Sequence, residues 1–329
     1  MLRIRRLLER IYIVIVMAYV PVKCMKSAII IYQDRKALGL TNQLYDLSTI
    51  ISFACANNIS GIHFPIFNLD YSKGKLGHTS IVLDVEATNS NIPCTRLIAL
   101  RELVSYNVVH ISDLLSFKKE HSLQRNLSHL AGLQFSKTLH LRCSGIASKM
   151  AISKLFYGVH LRMELDWIIF AVEGGPHEKN PYFRWLELQN SNLRREAEVL
   201  SHSLLETPKY KVFINCELGR YVSQALEVFH DKRVPIMIAT GLGGPSSYNG
   251  PLDWVLKNFS TTLEQHGFKV VRVPKSSVWR EINAAIDMIF MKQSIAFIGN
   301  MASTFSQAIQ SFKISDVYSI GDQNIPCPN

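Results

Sequence analysis

The sequence has no CxxC pair. Its six cysteines, Cys24, Cys55, Cys94, Cys143, Cys216 and Cys327, lie scattered through 329 residues. That argues against a zinc site and is neutral between disulfides and buried thiols. HExxH, GxSxG and local Cys/His arrangements are missing too, so metalloprotease and serine-hydrolase chemistry has no signature to rest on. No internal repeat and no low-complexity linker interrupts the chain. Basic residues do not gather into a stripe with interleaved aromatics, the usual footprint of a nucleic-acid binder, so nucleic acid is not an expected partner. Nor is there an apolar run of the ~20 residues that comfortably span a bilayer.

What is present excludes a disordered or collagen-like chain: 47% of residues are hydrophobic and 19% charged, with length enough for two packed domains. A net charge of +10 suggests an anionic partner. Half of that charge sits in residues 1–26, where Arg3, Arg5, Arg6, Arg10, Lys23 and Lys26 face Glu9 alone. A basic stretch, Met1–Arg10, precedes an apolar one, Ile11–Val22, interrupted by Pro21. Basic-then-apolar is the order of a signal peptide or signal anchor. The expectation is membrane anchoring at the N-terminus and a place in the secretory pathway, Golgi or ER, as a type II or lumenal protein. The alternative is that the β-branched run Ile13–Val16 belongs to the fold, which makes the chain cytoplasmic.

Periodicity predicts an α/β protein. The apolar run Lys26–Tyr32 reads as a strand, Gln33–Thr41 as a loop, and a helical pattern starts at Asn42 with Leu44, Leu47, Ile51, Ala54 and Cys55 on one face. Gly61 is read as ending that helix before the strand-like Ile62–Phe67. Strand-like runs recur at Leu155–Arg162, Tyr210–Asn215, Val234–Thr240, Lys269–Val273 and Ser294–Gly299, alternating with helical stretches at Arg194–Leu204, Pro251–His266 and Val278–Phe290. Two domains are expected, over 27–150 and 151–318, with a tail over 319–329 and a ligand cleft between the domains.

Chemistry-bearing residues cluster at a few places. His160-Leu161-Arg162-Met163-Glu164-Leu165-Asp166 follows a predicted strand. Alternate residues of an extended chain share a face, so His160, Arg162 and Glu164 are expected together, with Arg162 presenting its planar fork to phosphate oxygens. A strand-end salt bridge from Arg162 to Glu164 or Asp166 is the plainer reading of the same residues. His140-Leu141-Arg142 repeats the tripeptide inside a helical stretch from about His129 to Lys154, where residues two apart diverge by ~200° and cannot share a ligand. Gly299-Asn300-Met301-Ala302-Ser303-Thr304-Phe305-Ser306 follows another strand. Thr304 and Gln307 have capping-box spacing, so a helix amino terminus is expected to cradle an anion there. Ala239-Thr240-Gly241-Leu242-Gly243-Gly244 lacks the third glycine of a dinucleotide fingerprint. In Gly39-Leu40-Thr41-Asn42-Gln43, Asn42 is a helix N-cap candidate. Asp84-Val85-Glu86 has the form of an acidic metal pair, but a lone DxE is common and no metal is expected.

In order along the chain, these blocks resemble the GDP-fucose O-fucosyltransferase superfamily, closest to its plant O-fucosyltransferase-like branch. His160, Leu161, Arg162, Glu164, Asp166 and Phe170 match that family's HLRxExDxxxF block. Leu133–Lys137, Ala239–Gly241, Gly299–Ala302 and the set Ala284, Ala285, Asp287, Ser294 are similar to further blocks, and Gly39–Gln43 to its glycine-asparagine-glutamine loop. Ser303–Ser306 resembles the phosphate-contacting STFS of protein O-fucosyltransferases. The match runs from about residue 27 to 313. Trp167 departs from the branch's usual Met, Ala171-Val172-Glu173 from its small Ser-Gly-Cys segment, and Leu38 precedes Gly39 where some members carry a glutamate base.

The resemblance implies a GT-B type fold: two Rossmann-like domains with parallel sheets facing a central cleft, the second holding the nucleotide sugar. It implies an inverting, metal-independent glycosyltransferase with no cofactor, moving fucose from GDP-fucose to a hydroxyl of a protein or glycan acceptor. Arg162 would neutralise the diphosphate, with Asn42 near the reacting centre from the acceptor side. His160, Asp287, Ser303, Thr304, Phe305 and Ser306 would bind the nucleotide sugar, and Glu164 and Asp166 would orient Arg162. For a general base, Asp34 and Asp46 are the candidates nearby. Another deoxysugar donor such as UDP-rhamnose, or a non-catalytic protein binding nucleotide sugars or glycans, fits the same fold.

Overall fold

A computed structural model describes residues 26–31, 40–64, 66–70, 75–99, 101–102, 106–111, 117–118, 129–150, 155–173, 194–242, 252–274, 279–312 and 316–320. Residues 1–25 of the expected targeting segment 1–26, Asp34, Leu38, Gly39, Gly243, Gly244 and residues 321–329 of the expected tail lie outside them. Among the described residues no helix is long and apolar enough to cross a membrane. The chain groups into two compact units, 1–137 and 138–329.

The first unit runs β1 (Lys26–Ile31), α1 (Leu40–Ala56), β2 (Gly61–His63), β3 (Ile66–Asp70), β4 (Lys75–His78), α2 (Thr79–Val82), α3 (Val85–Asn91), β5 (Arg96–Leu97) and β6 (Tyr106–Ile111). Four of these strands form a parallel sheet in the order β5-β2-β1-β6, and β3 and β4 form a separate antiparallel pair. Helix α1 buries Leu44, Leu47, Ile51 and Ala54, the face expected from sequence, and begins at Leu40 rather than Asn42. Its end is made by Asn58, which adopts a left-handed φ of 54°, a conformation asparagine tolerates better than most residues. Gly61 is therefore not the helix stop. It sits in β2, where a Cβ would come within 2.7 Å of Ile98 Cδ1. A disulfide joins Cys55 in the last turn of α1 to Cys94 just before β5.

The second unit runs α4 (Lys137–Lys149), β7 (Tyr157–His160), α5 (Leu165–Val172), α6 (Arg194–Glu206), α7 (Pro208–Val228), β8 (Ile236–Ala239), α8 (Asp253–Gln265), β9 (Val270–Arg272), α9 (Arg280–Gln293), β10 (Phe297–Asn300), α10 (Thr304–Phe312) and β11 (Val317–Ile320). Its five strands are all parallel, in the order β11-β10-β7-β8-β9. Every residue of β7, β8 and β10 is buried, as befits strands covered on both faces. Val159, Ile168, Ile238, Phe259 and Ile298 at 0–1% exposure form the centre of this core, each such side chain contributing about 1.5–3 kcal/mol. The order reverses at β7: the chain proceeds outward through β8 and β9, then returns to lay β10 on the other side. Such a reversal opens a crevice beyond the carboxyl ends of the two strands that flank it.

Two expectations are corrected here. Tyr210–Asn215, read as a strand, lies inside the 21-residue helix α7. Its buried residues Tyr210, Phe213, Ile214, Glu217, Tyr221 and Ala225 recur at helical spacing, and Pro208 occupies the first turn, where its missing N–H costs nothing. The long helix expected over 129–154 is shorter. A 3-10 turn at Leu130–Gly132 and an extended bridge from Phe135 to Leu83 precede α4. His140 and Arg142 are both exposed on α4, as surface-helix residues.

Candidate functional site

Strand β7 delivers His160 to the carboxyl edge of the second sheet, in register with Gly299 of β10 and Ala239 of β8. His160 Nδ1 lies 2.8 Å from Ser306 Oγ. Its ring packs on Phe305 with centroids 4.3 Å apart. A Cβ at Gly299 would stand 2.5 Å from that Ser306 hydroxyl, so the close passage of α10 over β10 requires glycine there. Between them the chain folds on itself: Asn300 Oδ1 accepts from Ala302 N at 2.9 Å, and Gln307 Nε2 donates to Met301 O at 2.7 Å. Ser303 O takes the first helical bond, from Gln307 N, so Ser303 caps α10 and Thr304 opens it. The expected Thr304–Gln307 box is one residue out of register. Ser306 is fully buried; its hydroxyl meets the histidine ring rather than solvent.

Beyond β7 the chain leaves the sheet and brings Arg162 against two carboxylates. Arg162 Nη1 donates to Glu164 Oε2 at 2.7 Å and Nη2 to Asp166 Oδ2 at 2.8 Å. Asp166 lies in the first turn of α5, four residues after Arg162. The Arg162 side chain is 20% exposed. Among the described residues, two of its five N–H donors are spent on these bonds. The Arg162 backbone N–H donates to the hydroxyl of Tyr221, buried in α7. Glu164 is also tied on its other oxygen, Oε1, which accepts from Gly241 N at 2.6 Å. Thr240 Oγ1 donates to Leu161 O and accepts from Leu242 N. The Ala239–Gly241 turn is thus bound to the Arg162 segment, and the Gly241 N–H is already engaged.

The electrostatics follow from this geometry. Burial works against the charge on Arg162, but Asp166 and Glu164 outweigh it and push its pKa up. Burial alone would raise the Asp166 carboxyl. Arg162, and Arg280 at the start of α9, overcome that and hold it below the usual carboxylate range. The result is a permanently charged, rigidly oriented guanidinium at the sheet's carboxyl edge.

The other expected residues sit on, or at the start of, helices. Asp287 is buried in the middle of α9, where its charge, after burial, helps push the Cys143 thiol up to about 12. Asn42 lies in the first turn of α1, past the cap position it was expected to fill, and belongs to the first unit. Asp46 is buried on the same helix and paired with Lys118. Asp84 caps α3 by accepting from Ala87 N, so the DxE is a helix start. Among the described residues, Cys55, Cys94 and His129 are the grouping with metal-ligand proximity. The two sulfurs are bonded to each other and offer no thiolate.

Sequence reasoning passed over Tyr221, Arg280 and Arg272. Arg272, at the end of β9, donates to Leu242 O, while its buried Nε has no hydrogen-bond partner among the described residues. A lone arginine closing the apolar run Val270–Val273 was the available signal for it.

No protein-family model matches the chain, and comparison with curated proteins finds no significant relative. Solved structures do match. The crystal structure of POFUT1 in complex with GDP-fucose shares 12% identity, with 92% of this chain and 99% of that chain covered and a TM-score of 0.55. The POFUT1 apo-form gives 12% identity, 92% and 100% coverage and a TM-score of 0.57. The complex with GDP gives 12%, 92%, 100% and 0.55. The α/β fold with parallel sheets expected from the sequence is therefore the observed one, and the chain has the fold of the POFUT1 structures.

Proposed function

We propose that the chain is a glycosyltransferase of the O-fucosyltransferase type, moving fucose from GDP-fucose to an acceptor hydroxyl. The observation that carries this reading is Arg162, clamped by Glu164 and Asp166 at the switch point of the second sheet. It supports the role the sequence resemblance implies, and the matched fold includes a structure bound to GDP-fucose. Departure of a nucleoside diphosphate develops negative charge, which a fixed cation stabilises without reorganising. Arg162 would meet the diphosphate with its remaining N–H bonds. The first turn of α10, opened by Ser303 and Thr304, would supply backbone N–H groups from the β10 side. Phe305 and Ser306 would act through His160, holding its ring at the same edge. The course is inverting and needs no metal, with the guanidinium doing the work a cation would do. The Cys55–Cys94 disulfide and the disulfide of Cys216 support an oxidising compartment and hence the secretory pathway.

The test is nucleotide release over a panel of GDP- and UDP-sugar donors with protein and glycan acceptors. GDP-fucose turnover is expected, abolished by Arg162→Ala and unchanged by Arg142→Ala on the surface of α4. Equal effects of the two substitutions, or turnover with UDP-sugars alone, would overturn the reading.

A further inference from the structure

The first unit contains a cavity of about 620 Å³ at the edge of its sheet, between the ends of β2 and β5, the β4–α2 junction and α3. Its walls include Phe64, Val85, Leu97 and Ile98. Pockets of about 300–1,000 Å³ with mostly apolar walls and a few placed polar groups are the usual form of a small-ligand site.

Most polar lining groups are occupied in holding the fold. Asn89 spends its side-chain amide on Leu97, accepting from N at 2.6 Å and donating to O at 2.9 Å. Glu102 accepts from Ala99 N at 2.9 Å. Three groups remain. Glu86 and Arg96 are exposed, and neither has an ion-pair partner among the described residues. His78 Nδ1 accepts from Ser80 N at 3.2 Å, so in the neutral ring the proton sits on Nε2 and that nitrogen donates.

These groups define a ligand. Glu86 and Glu102 against Arg96 leave the lining with one excess negative charge, so the cavity disfavours an anion. A carboxylate accepting, with a guanidinium and an imidazole donating, suits a neutral molecule dense in hydroxyls that also has an apolar face. The edge strand argues against a peptide: β5 is two residues long, and Asn89 already pairs the outward N–H and C=O of Leu97. An extended peptide cannot add there as a strand. We infer that this cavity binds a neutral saccharide, held by Glu86, Arg96 and His78 over the wall of Phe64 and Leu97. This inference does not rest on the glycosyltransferase reading.

Saturation-transfer NMR on the full chain, with neutral di- and trisaccharides and a parallel set of tripeptides, tests it. At least one saccharide should bind. Glu86→Ala and Arg96→Ala should each weaken that binding about tenfold or more, the loss expected for one charge-assisted hydrogen bond, while GDP affinity stays unchanged. Absence of saccharide binding, binding unaffected by both substitutions, or displacement by tripeptides would overturn the inference. Saccharide binding in a chain that turns over no donor would refute the glycosyltransferase reading and leave the pocket standing.

Discussion

Glu164 should not tolerate conversion to glutamine, although the two side chains share a shape. Its two oxygens each accept from a different donor, Arg162 Nη1 at 2.7 Å and Gly241 N at 2.6 Å. A glutamine has one acceptor oxygen, so whichever way the amide is turned its NH₂ faces a donor. The substitution removes a charge-assisted bond and opposes two donors at a side chain only 7% exposed, a cost of about 2–4 kcal/mol. That corresponds to a drop in Tm of about 4–16 °C. Gly241→Ala attacks the same contact from the other side, since its Cβ would stand 2.7 Å from Glu164 Oε1 and 2.9 Å from Cγ. Thermal melts of Glu164→Gln, Gly241→Ala and the double variant form a cycle. Because both changes break one contact, the double variant should fall short of the summed cost by about 1 kcal/mol or more. GDP titration adds a sign test. Removing a negative charge beside Arg162 would by itself tighten diphosphate binding, whereas loss of an anchor for the guanidinium loosens it. Additive costs, or tighter GDP binding, would refute the view that Glu164 serves to position Arg162.

Tyr221→Phe leaves the Arg162 backbone N–H without its acceptor; chemical denaturation should show a loss of about 1–3 kcal/mol, and turnover should fall while Arg162 is still present. Asp166 titrates below the ordinary carboxylate value of about 4, so its stabilisation is complete above that pH and is lost as pH falls through the lower folded value. Wild-type stability should accordingly fall more steeply than that of Asp166→Asn as the medium is acidified below about pH 4; parallel acid curves would contradict this. Cys143 is a free buried thiol pushed up to about 12, so iodoacetamide near pH 8 should label it only after denaturation, and rapid labelling of the native chain would show that α4 is not packed as described.

The three central strands of the second sheet were readable from sequence because they are covered on both faces. Continuous apolar runs such as Val234–Thr240 and Ser294–Gly299 leave few other fates; the first contains β8 and the second covers all of β10 but Asn300. The Tyr210–Asn215 run misled because six residues of an amphipathic helix can mimic a strand. Only a window reaching Glu217, Tyr221 and Ala225 reveals the helical period. Within the site, the Arg162–Glu164–Asp166 cluster was visible because its members are local in sequence. The contacts of Glu164 with Gly241, Arg162 with Tyr221 and His160 with Ser306 span 77, 59 and 146 residues. No spacing rule reaches that far.

The bond between Cys55 and Cys94 closes a span of 39 residues. In the chain-entropy account, a closure of that length removes enough freedom from the denatured ensemble to be worth about 4 kcal/mol. Domains of this kind are stable by about 5–15 kcal/mol in all. One covalent link therefore supplies a large share of what keeps α1, β2, the β3–β4 pair and α3 assembled, and it does so without any contact in the native state. The first unit owes its persistence partly to how few conformations it has left when it unfolds.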